Sequence, residues 1–403
     1  MGRPENSDDV AALLRTAARD ELPVVVRGAG TRSAWLPPLP PRHLLIETAG
    51  LTGAPSLRPA NLTGVFGAGT PLAQVQASLV GEGLWLPAEA LGAPAATLGG
   101  CLAAGTSSSP RLAHGTLRDW VLGLEVVTPA GRVVRLGGET VKNVAGYDLV
   151  KLHLGAWGRL GVITRVFLRL SPQPEAEATV RSHHATAAEA MAAAASLAGG
   201  PARPMAVDLL WEGAPGGAGV QLFVRLAGRA ATLSGRVAMA RSTLGASARS
   251  TPRTSAGEPG FWAEYAARWE QLARRPWRAK VSAPVGNGAA LLEAAAEALR
   301  GQDWTVAGQA GSGVFTFFWE GELGAIEHLR AAAGPDAIVV AEGRGAAKLQ
   351  GDGWVGFPPR APRAQDRLDA AILRALDPRG LMNPHLRPLP GRPAASPDRG
   401  ARG

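Results

Sequence analysis

Three glycine-rich segments hold the residues best suited to chemistry in this chain. The first, RGAGTRS, runs from Arg27 to Ser33 and directly follows an apolar run, Val24 to Val26. Its glycines permit a tight turn whose amide N–H groups converge into an anion-binding nest, and Thr31 and Ser33 add hydroxyl donors. The second, GAPAATLGGCLAAG, runs from Gly92 to Gly105. Its small side chains would let backbone lie against a flat ligand, and close helix packing explains the same composition equally well. The third, VKNVAGYDLVKLHLGAWGRLGVITRVFLRL, runs from Val141 to Leu170. It joins a glycine turn, an amphipathic helical run and a second glycine cluster (Gly155, Gly158, Gly161) to a strand of alternating apolar residues. Glycine lets backbone approach a ligand closely or take positive φ.

Other chemistries fit less well. A dinucleotide fingerprint of the Rossmann type is suggested by RGAGTRS with Glu47 some twenty residues on. It fails because Ser33 stands at the third glycine position, and Trp35, Pro37 and Pro38 block the helix that must follow. GAGT recurs at Gly67 to Thr70, where Pro71 and Leu72 again spoil the pattern. Cys101 has no local base and reads as a small buried apolar residue. Glu327 and His328, and the pair His183 and His184, lack metal-ligand spacing. No Ser-His-Asp elbow, Walker loop or pair of catalytic carboxylates stands out.

The elements that must position these segments follow from periodicity. Ser7 and Asp8 are expected to cap a helix to about Arg19. Strands are expected at Val24 to Val26, His43 to Glu47 and Leu62 to Phe66, a helix at Thr70 to Val80, and a hairpin at Trp120 to Leu136 turning at Pro129, Ala130 and Gly131. Ser171 to Thr179, with two prolines and two glutamates, reads as a linker. Beyond it, helices (Ala185 to Ala198, Phe261 to Ala273, Ala289 to Arg300, Leu323 to Ala333) alternate with strands (Met205 to Trp211, Val220 to Leu226, Trp304 to Ala307, Val314 to Trp319, Ala337 to Ala341). That mixture predicts an antiparallel sheet backed by helices. A last helix, Gln365 to Leu376, precedes a tail from Pro388 that reads as disordered.

At 403 residues the chain should form two or three domains. The formal charge of +9 comes mainly from arginines interspersed with acids, and no nucleic-acid reader motif accompanies it. Nucleic-acid binding is therefore not expected. One cysteine excludes an intrachain disulfide or a multi-cysteine iron–sulfur site. No stretch nears the roughly 20 apolar residues of a membrane helix, and the polar start does not read as a signal peptide. A cytoplasmic location is expected, with peripheral attachment to the membrane through partners left open.

Together, the three segments resemble the FAD-binding domain of the vanillyl-alcohol-oxidase (PCMH-type) superfamily, and within it the FAD-binding E subunits of bacterial glycolate oxidases. KNVAGYDL and GRLGVIT carry the resemblance most specifically, and LDPRGLMNP (Leu376 to Pro384) resembles the closing motif of that superfamily. The resemblance implies an α+β fold: a PCMH-type FAD-binding domain (residues 1–172), an α+β cap with an antiparallel sheet (173–362), a returning C-terminal segment (363–387) and a tail (388–403). It implies that Arg27, Gly28, Ala29, Gly30, Thr31, Arg32 and Ser33 hold the FAD pyrophosphate. Thr97, Leu98, Gly99, Gly100 and Gly105 would line the dinucleotide, Gly161, Val162 and Ile163 would offer backbone contacts, and Asn383 would lie near the flavin. Because the first loop lacks a histidine, FAD is expected to be noncovalent, His114 being the only alternative tether considered. The implied activity is oxidation of a small 2-hydroxy acid, glycolate to glyoxylate, by hydride transfer to flavin. The histidine-rich metal motif of catalytic relatives is missing from the cap. The implied partners are therefore a sister FAD-containing catalytic subunit and an iron–sulfur subunit. A noncatalytic assembly subunit and a stand-alone lactate-type dehydrogenase are the alternatives.

Overall fold

The computed structural model describes all residues except 34, 35, 37, 139–147, 214–218, 246–247, 254–259, 322–327, 330, 332, 334–336, 344–363 and 387–403. The segment KNVAGY, most of the helix expected at Leu323 to Ala333, Glu327 and the C-terminal tail thus lie outside the described residues.

The chain opens with helix Ser7–Arg19, capped by Asn6, whose extended backbone lets its side chain accept the Asp9 N–H. The cap falls one residue before the expected Ser7, and Asp8 and Asp9 face the positive end of the helix dipole. Val10, Leu14 and Ala17 bury one face against Val24, Ile46 and Val127. Strands Val24–Arg27 and Leu44–Glu47 pair in parallel, flanked by bridges from Gly2 to Ile46 and from Met382 to Val24. The C-terminal LDPRGLMNP segment therefore extends the sheet from which RGAGTRS emerges.

A five-stranded sheet follows, ordered Ser56–Arg58, Thr63–Gly67, Val162–Arg169, Val121–Val127 and Val133–Gly137, every pairing antiparallel. The strand of the third glycine segment sits at its centre, with Val166 and Leu168 wholly buried. Helices Leu72–Val80 and Leu98–Ala104 pack Leu72, Val75, Leu98 and Leu102 into the same core. The amphipathic helix expected within the third segment is only one turn, Val150–His153. Gly155 ends it, since glycine readily takes the positive φ that terminates helices.

The second unit is an eight-stranded sheet, ordered Arg249–Arg253, Ala176–His184, Val220–Gly228, Ala206–Glu212, Asp303–Gln309, Val314–Glu320, Trp277–Ser282 and Ile338–Gly343, antiparallel throughout. Alternation divides its faces. Leu222, Val224 and Leu226 meet helices Ala187–Gly199, Ala230–Leu244 and Gly288–Ala298. Phe223 points the other way, onto Phe261 and Tyr265 of helix Phe261–Leu272.

Three expectations differ from the structure. Ser171 to Thr179 is not a free linker: Ser171–Pro172 pairs with Leu84–Trp85, and strand Ala176–His184 starts within it. Its glutamates misled the reading, because Glu177 is spent on an ion pair with Arg225. Helix Ala230–Leu244 escaped prediction since only Leu233, Ala240 and Leu244 are buried along its 15 residues, too few to set a period. Strand Arg249–Arg253 contains Pro252 and sits at the sheet edge, where a missing N–H is tolerated.

Candidate functional site

The three glycine segments converge on one cavity of about 330 Å³, within the usual range for ligand sites. Arg27, Gly28, Ala29, Gly30, Thr31, Arg32 and Ser33 form one wall. Thr97, Gly99 and Gly100 form the second, and Gly161, Val162 and Ile163 the third, with Asn383 joining them. Leu98 and Gly105 do not reach the lining. Leu98 is wholly buried in the core, and Gly105 is the left-handed cap of helix Leu98–Ala104.

The first wall is built by close approach. A Cβ on Gly28 would stand 2.5 Å from Thr97 Oγ1, so only glycine lets this loop meet the second wall. At the bend the amides of Ala29, Gly30 and Thr31 find no acceptor among the described residues, while Ser33 N–H returns to Gly30 O at 3.0 Å. Three unspent donors facing a cavity suit an anion. The two arginines of the motif divide the work. Arg27 forms an ion pair with Glu47, which also accepts from Arg3 at 2.9 Å. Those hydrogen bonds, Arg27 first, hold the Glu47 carboxyl below its ordinary range. Arg32 instead crosses the cavity, with Nη2 3.4 Å from Thr106 Oγ1 and its guanidinium 5.7 Å from the Trp157 ring. Glu47, tempting in the sequence as a ribose ligand, serves this ion-pair role.

The second wall is less free than its sequence suggested. Thr97 Oγ1 accepts the Gly100 N–H at 3.1 Å, and Gly99 N–H donates to Ala68 O at 2.8 Å. The helix start is thus satisfied internally, and its small residues supply surface rather than donors. The segment both packs its helix into the core and lines the cavity. Cys101 lies on this wall, and burial pushes its thiol up, away from the nucleophilic thiolate.

At the third wall, Gly155, Gly158 and Gly161 all have positive φ (80°, 68° and 145°). Asn383 fastens this turn to the first wall. Its Oδ1 accepts the Val26 N–H at 2.9 Å, its Nδ2 donates to Trp157 O at 2.7 Å, and its own N–H donates to Val24 O at 2.8 Å. Asn383 is 2% exposed and left-handed at φ 42°, a conformation asparagine accepts more readily than most side chains. It acts here as a splint between two cavity walls.

Sequence reasoning missed His153, Trp157, Thr106 and the stretch Ala90, Leu91 and Ala93 as cavity lining. Nothing in their spacing marks them, because the turn and sheet packing alone bring them in. His153 and His385 both line the cavity, and burial brings each imidazole down to about 4, with His43 adding to the effect on His385. His114 lies instead against Trp85 and Trp120, outside the lining, at ring distances of 5.4 and 6.1 Å. His183 and His184 sit on a cap strand, and His328 is exposed. Among the described residues, no group of three His, Cys, Asp or Glu is placed to hold a metal ion.

Comparison with known proteins points to the cofactor. A family described as an FAD binding domain matches residues 2–137. Alkyldihydroxyacetonephosphate synthase superposes over 94% of this chain and 74% of its own, with TM-score 0.70 at 16% identity. A chitooligosaccharide oxidase superposes over 95% of this chain and 90% of its own, with TM-score 0.66 at 14% identity. The fold is PCMH-type, and its cofactor is FAD. The unpaired amides, the glycine-lined walls and the crossing Arg32 fit a dinucleotide whose pyrophosphate is anionic.

Among sequence relatives, a D-lactate dehydrogenase of Archaeoglobus fulgidus is 36% identical over 42% of this chain and 38% of its own length. Glycolate oxidase subunit GlcE of Escherichia coli is 36% identical over 41% of this chain and 47% of its own. Glycolate oxidase subunit GlcD of Bacillus subtilis is 30% identical over 44% of this chain and 38% of its own. The matches span less than half the length of each of these relatives. They fall on the PCMH-type superfamily rather than on E subunits alone, since subunits of both kinds and a dehydrogenase match. No helix among the described residues is long and apolar enough to cross a membrane.

Proposed function

We propose that this chain is a noncovalent FAD-binding oxidoreductase subunit acting on a small 2-hydroxy acid of the glycolate or lactate class. We further propose that it works in a complex with a sister flavoprotein subunit and an iron–sulfur subunit. The observation that carries the reading is the convergence of three separate glycine segments on one cavity, closed by the C-terminal Asn383. The names of the relatives, glycolate oxidase subunits and a D-lactate dehydrogenase, supply the substrate class.

Bound FAD supplies the two-electron acceptor for oxidation of the hydroxyl-bearing carbon to a carbonyl. The chain's own residues bind and orient. The amides of residues 29–31 and the Arg32 guanidinium neutralise pyrophosphate charge. Asn383 fixes the spacing between the first and third walls. His153 and His385, kept neutral near pH 7 by burial, add no positive charge to the cavity. Among the described residues the cap histidines, His183 and His184 on one strand and His328 exposed, form no metal cluster. The proposal therefore gives substrate turnover to the sister subunit.

The test is direct. Purified protein should be yellow and release free FAD on acid denaturation, which establishes noncovalent binding. Glycolate or D-lactate added anaerobically should bleach the flavin only when the sister subunit is present. Strong turnover by the isolated chain would sink the division of labour, and a preparation that stays colourless after FAD addition would sink the flavin reading.

A further inference from the structure

The polar face of the eight-stranded sheet carries a buried cluster that the cofactor cavity does not use. Asp208, on strand Ala206–Glu212, is wholly buried, and Ser109 Oγ lies 2.5 Å from its Oδ2. Its Oδ1 has no partner. Beside it, Arg225 of strand Val220–Gly228 donates to Glu89 at 2.6 Å and to Glu177 at 2.9 Å. Asp208 and Arg225 belong to the cap sheet, whereas Ser109 and Glu89 belong to the FAD-binding unit, so both contacts cross between units.

The position of Ser109 gives this contact its meaning. Residues 106–111 run directly on from helix Leu98–Ala104, the second cavity wall. Thr106 lines the cavity and meets Arg32, Ser107 Oγ donates to Gln309 Oε1 of the cap at 3.0 Å, and Ser109 meets Asp208. One short segment thus touches the cofactor cavity at one end and the cap sheet at the other.

The charged and titratable groups packed around Asp208 are known on every side. Glu89 comes from the FAD-binding unit, Arg225 and its second partner Glu177 from neighbouring strands, and Tyr265 from helix Phe261–Leu272. Arg111 and His114 belong to the short helix that packs on the Asp208 strand. Arg225 is committed to Glu89 and Glu177, and the Tyr265 hydroxyl to Leu209 O at 3.3 Å. An ionised Asp208 would be a wholly buried charge with one oxygen unpaired and Glu89 nearby, which is strongly disfavoured.

We propose that Asp208, holding a proton, is a latch between the cap sheet and the segment 106–111, whose first residue lines the FAD cavity, and that losing this proton loosens the cap and speeds FAD release. The cavity end of the proposal rests on the flavin reading above, whereas the latch itself does not. Burial pushes the Asp208 carboxyl up to about 8; the Ser109 hydrogen bond opposes the shift, Glu89 adds to it, and the Tyr265 hydroxyl and the Arg225 charge oppose it more weakly. The folded chain therefore keeps a proton that the unfolded chain has shed above the ordinary carboxylate range. Stability from this site falls as pH rises toward 8 and levels off above it.

The experiment uses the full chain, its D208N variant and its S109A variant. Infrared spectra at pH 7 should show the carbonyl band of a neutral carboxylic acid in the wild type and lose it in D208N. If Asp208 is ionised at pH 7, that band is the same in both and the proposal is overturned. The melting temperature of the wild type should fall between pH 6 and 8 while that of D208N stays level, and parallel curves would also overturn it. FAD release from the wild type should be roughly tenfold faster at pH 9 than at pH 7. S109A should keep the infrared band yet release FAD faster than the wild type at pH 7, and unchanged release would refute the link to the cavity. Should D208N not fold, the wild-type band lost between pH 7 and 9 and the S109A rates decide. Failure to bind FAD at any pH would refute the flavin reading, leaving the latch to be judged on the infrared and melting data.

Discussion

The two polar regions of this protein handle buried hydrogen-bonding groups in opposite ways. Around residues 29–31 the first cavity wall leaves backbone donors unspent, ready for a ligand that brings its own charge. Between the sheets, Arg225 instead spends both terminal nitrogens on two carboxylates, its Nε alone lacking a partner, and lies across the Trp262 ring, 5.1 Å from its centre. The first region is shaped to bind and the second to hold the two units together. An unpaired donor is tolerable only where solvent or ligand reaches it, and a buried charge only where partners are built in.

Removing a charge partner in the ion-paired region should do the most damage. R225M leaves Glu89 and Glu177, both partly buried, without a cation and is expected to cost about 3 kcal/mol in chemical denaturation. A cost below about 1 kcal/mol would mean that the interface is wetter than the geometry shows. At the binding region, N383A removes both bonds that join the walls and should cost roughly 2–3 kcal/mol. FAD affinity should fall with it, whereas N383D should keep the Val26 bond and restore part of both. Fluorescence titration with FAD distinguishes the two variants.

A third, smaller effect is acid lability of the cavity. His153 has a folded value near 4, below the ordinary histidine value, so the unfolded chain binds the extra proton first as pH falls. Stability from this site is complete above about 6.5 and is lost as pH drops toward 4. H153Q should flatten the melting curve between pH 6.5 and 4.5, and an unchanged slope would place the acid sensitivity elsewhere. The smallest effect belongs to the rim. E47Q frees Arg27 but leaves the unspent amides alone, so the melting temperature should barely change. FAD affinity should hold within a few-fold, whereas R32A should weaken it by about tenfold, as expected for a lost charge-assisted contact.

Most of the binding region was legible in the chain because its signal is local. Glycines at close spacing after an apolar run specify a turn wherever the chain goes, and RGAGTRS, Thr97 with Gly99 and Gly100, and Gly158 with Gly161 all reached the cavity. Leu98 did not, since helix formation turned it inward, a rotation that residue type alone does not reveal. The ion-paired region was not legible at all. Glu177 read as linker composition, and Asp208, Arg225, Ser109 and Glu89 stand up to 136 residues apart in sequence.

The sequence by itself thus determined where backbone would be bare and bent, and which strands would be apolar on one face, because sterics and periodicity act over a few residues. Only the tertiary structure decided which of two arginines faces the cavity, that Asn383 splints two walls, and that an aspartate ends up sealed beside an arginine already committed to two other carboxylates. Those outcomes depend on desolvation and on partners supplied by distant strands, and neither is encoded at the position where its effect is felt.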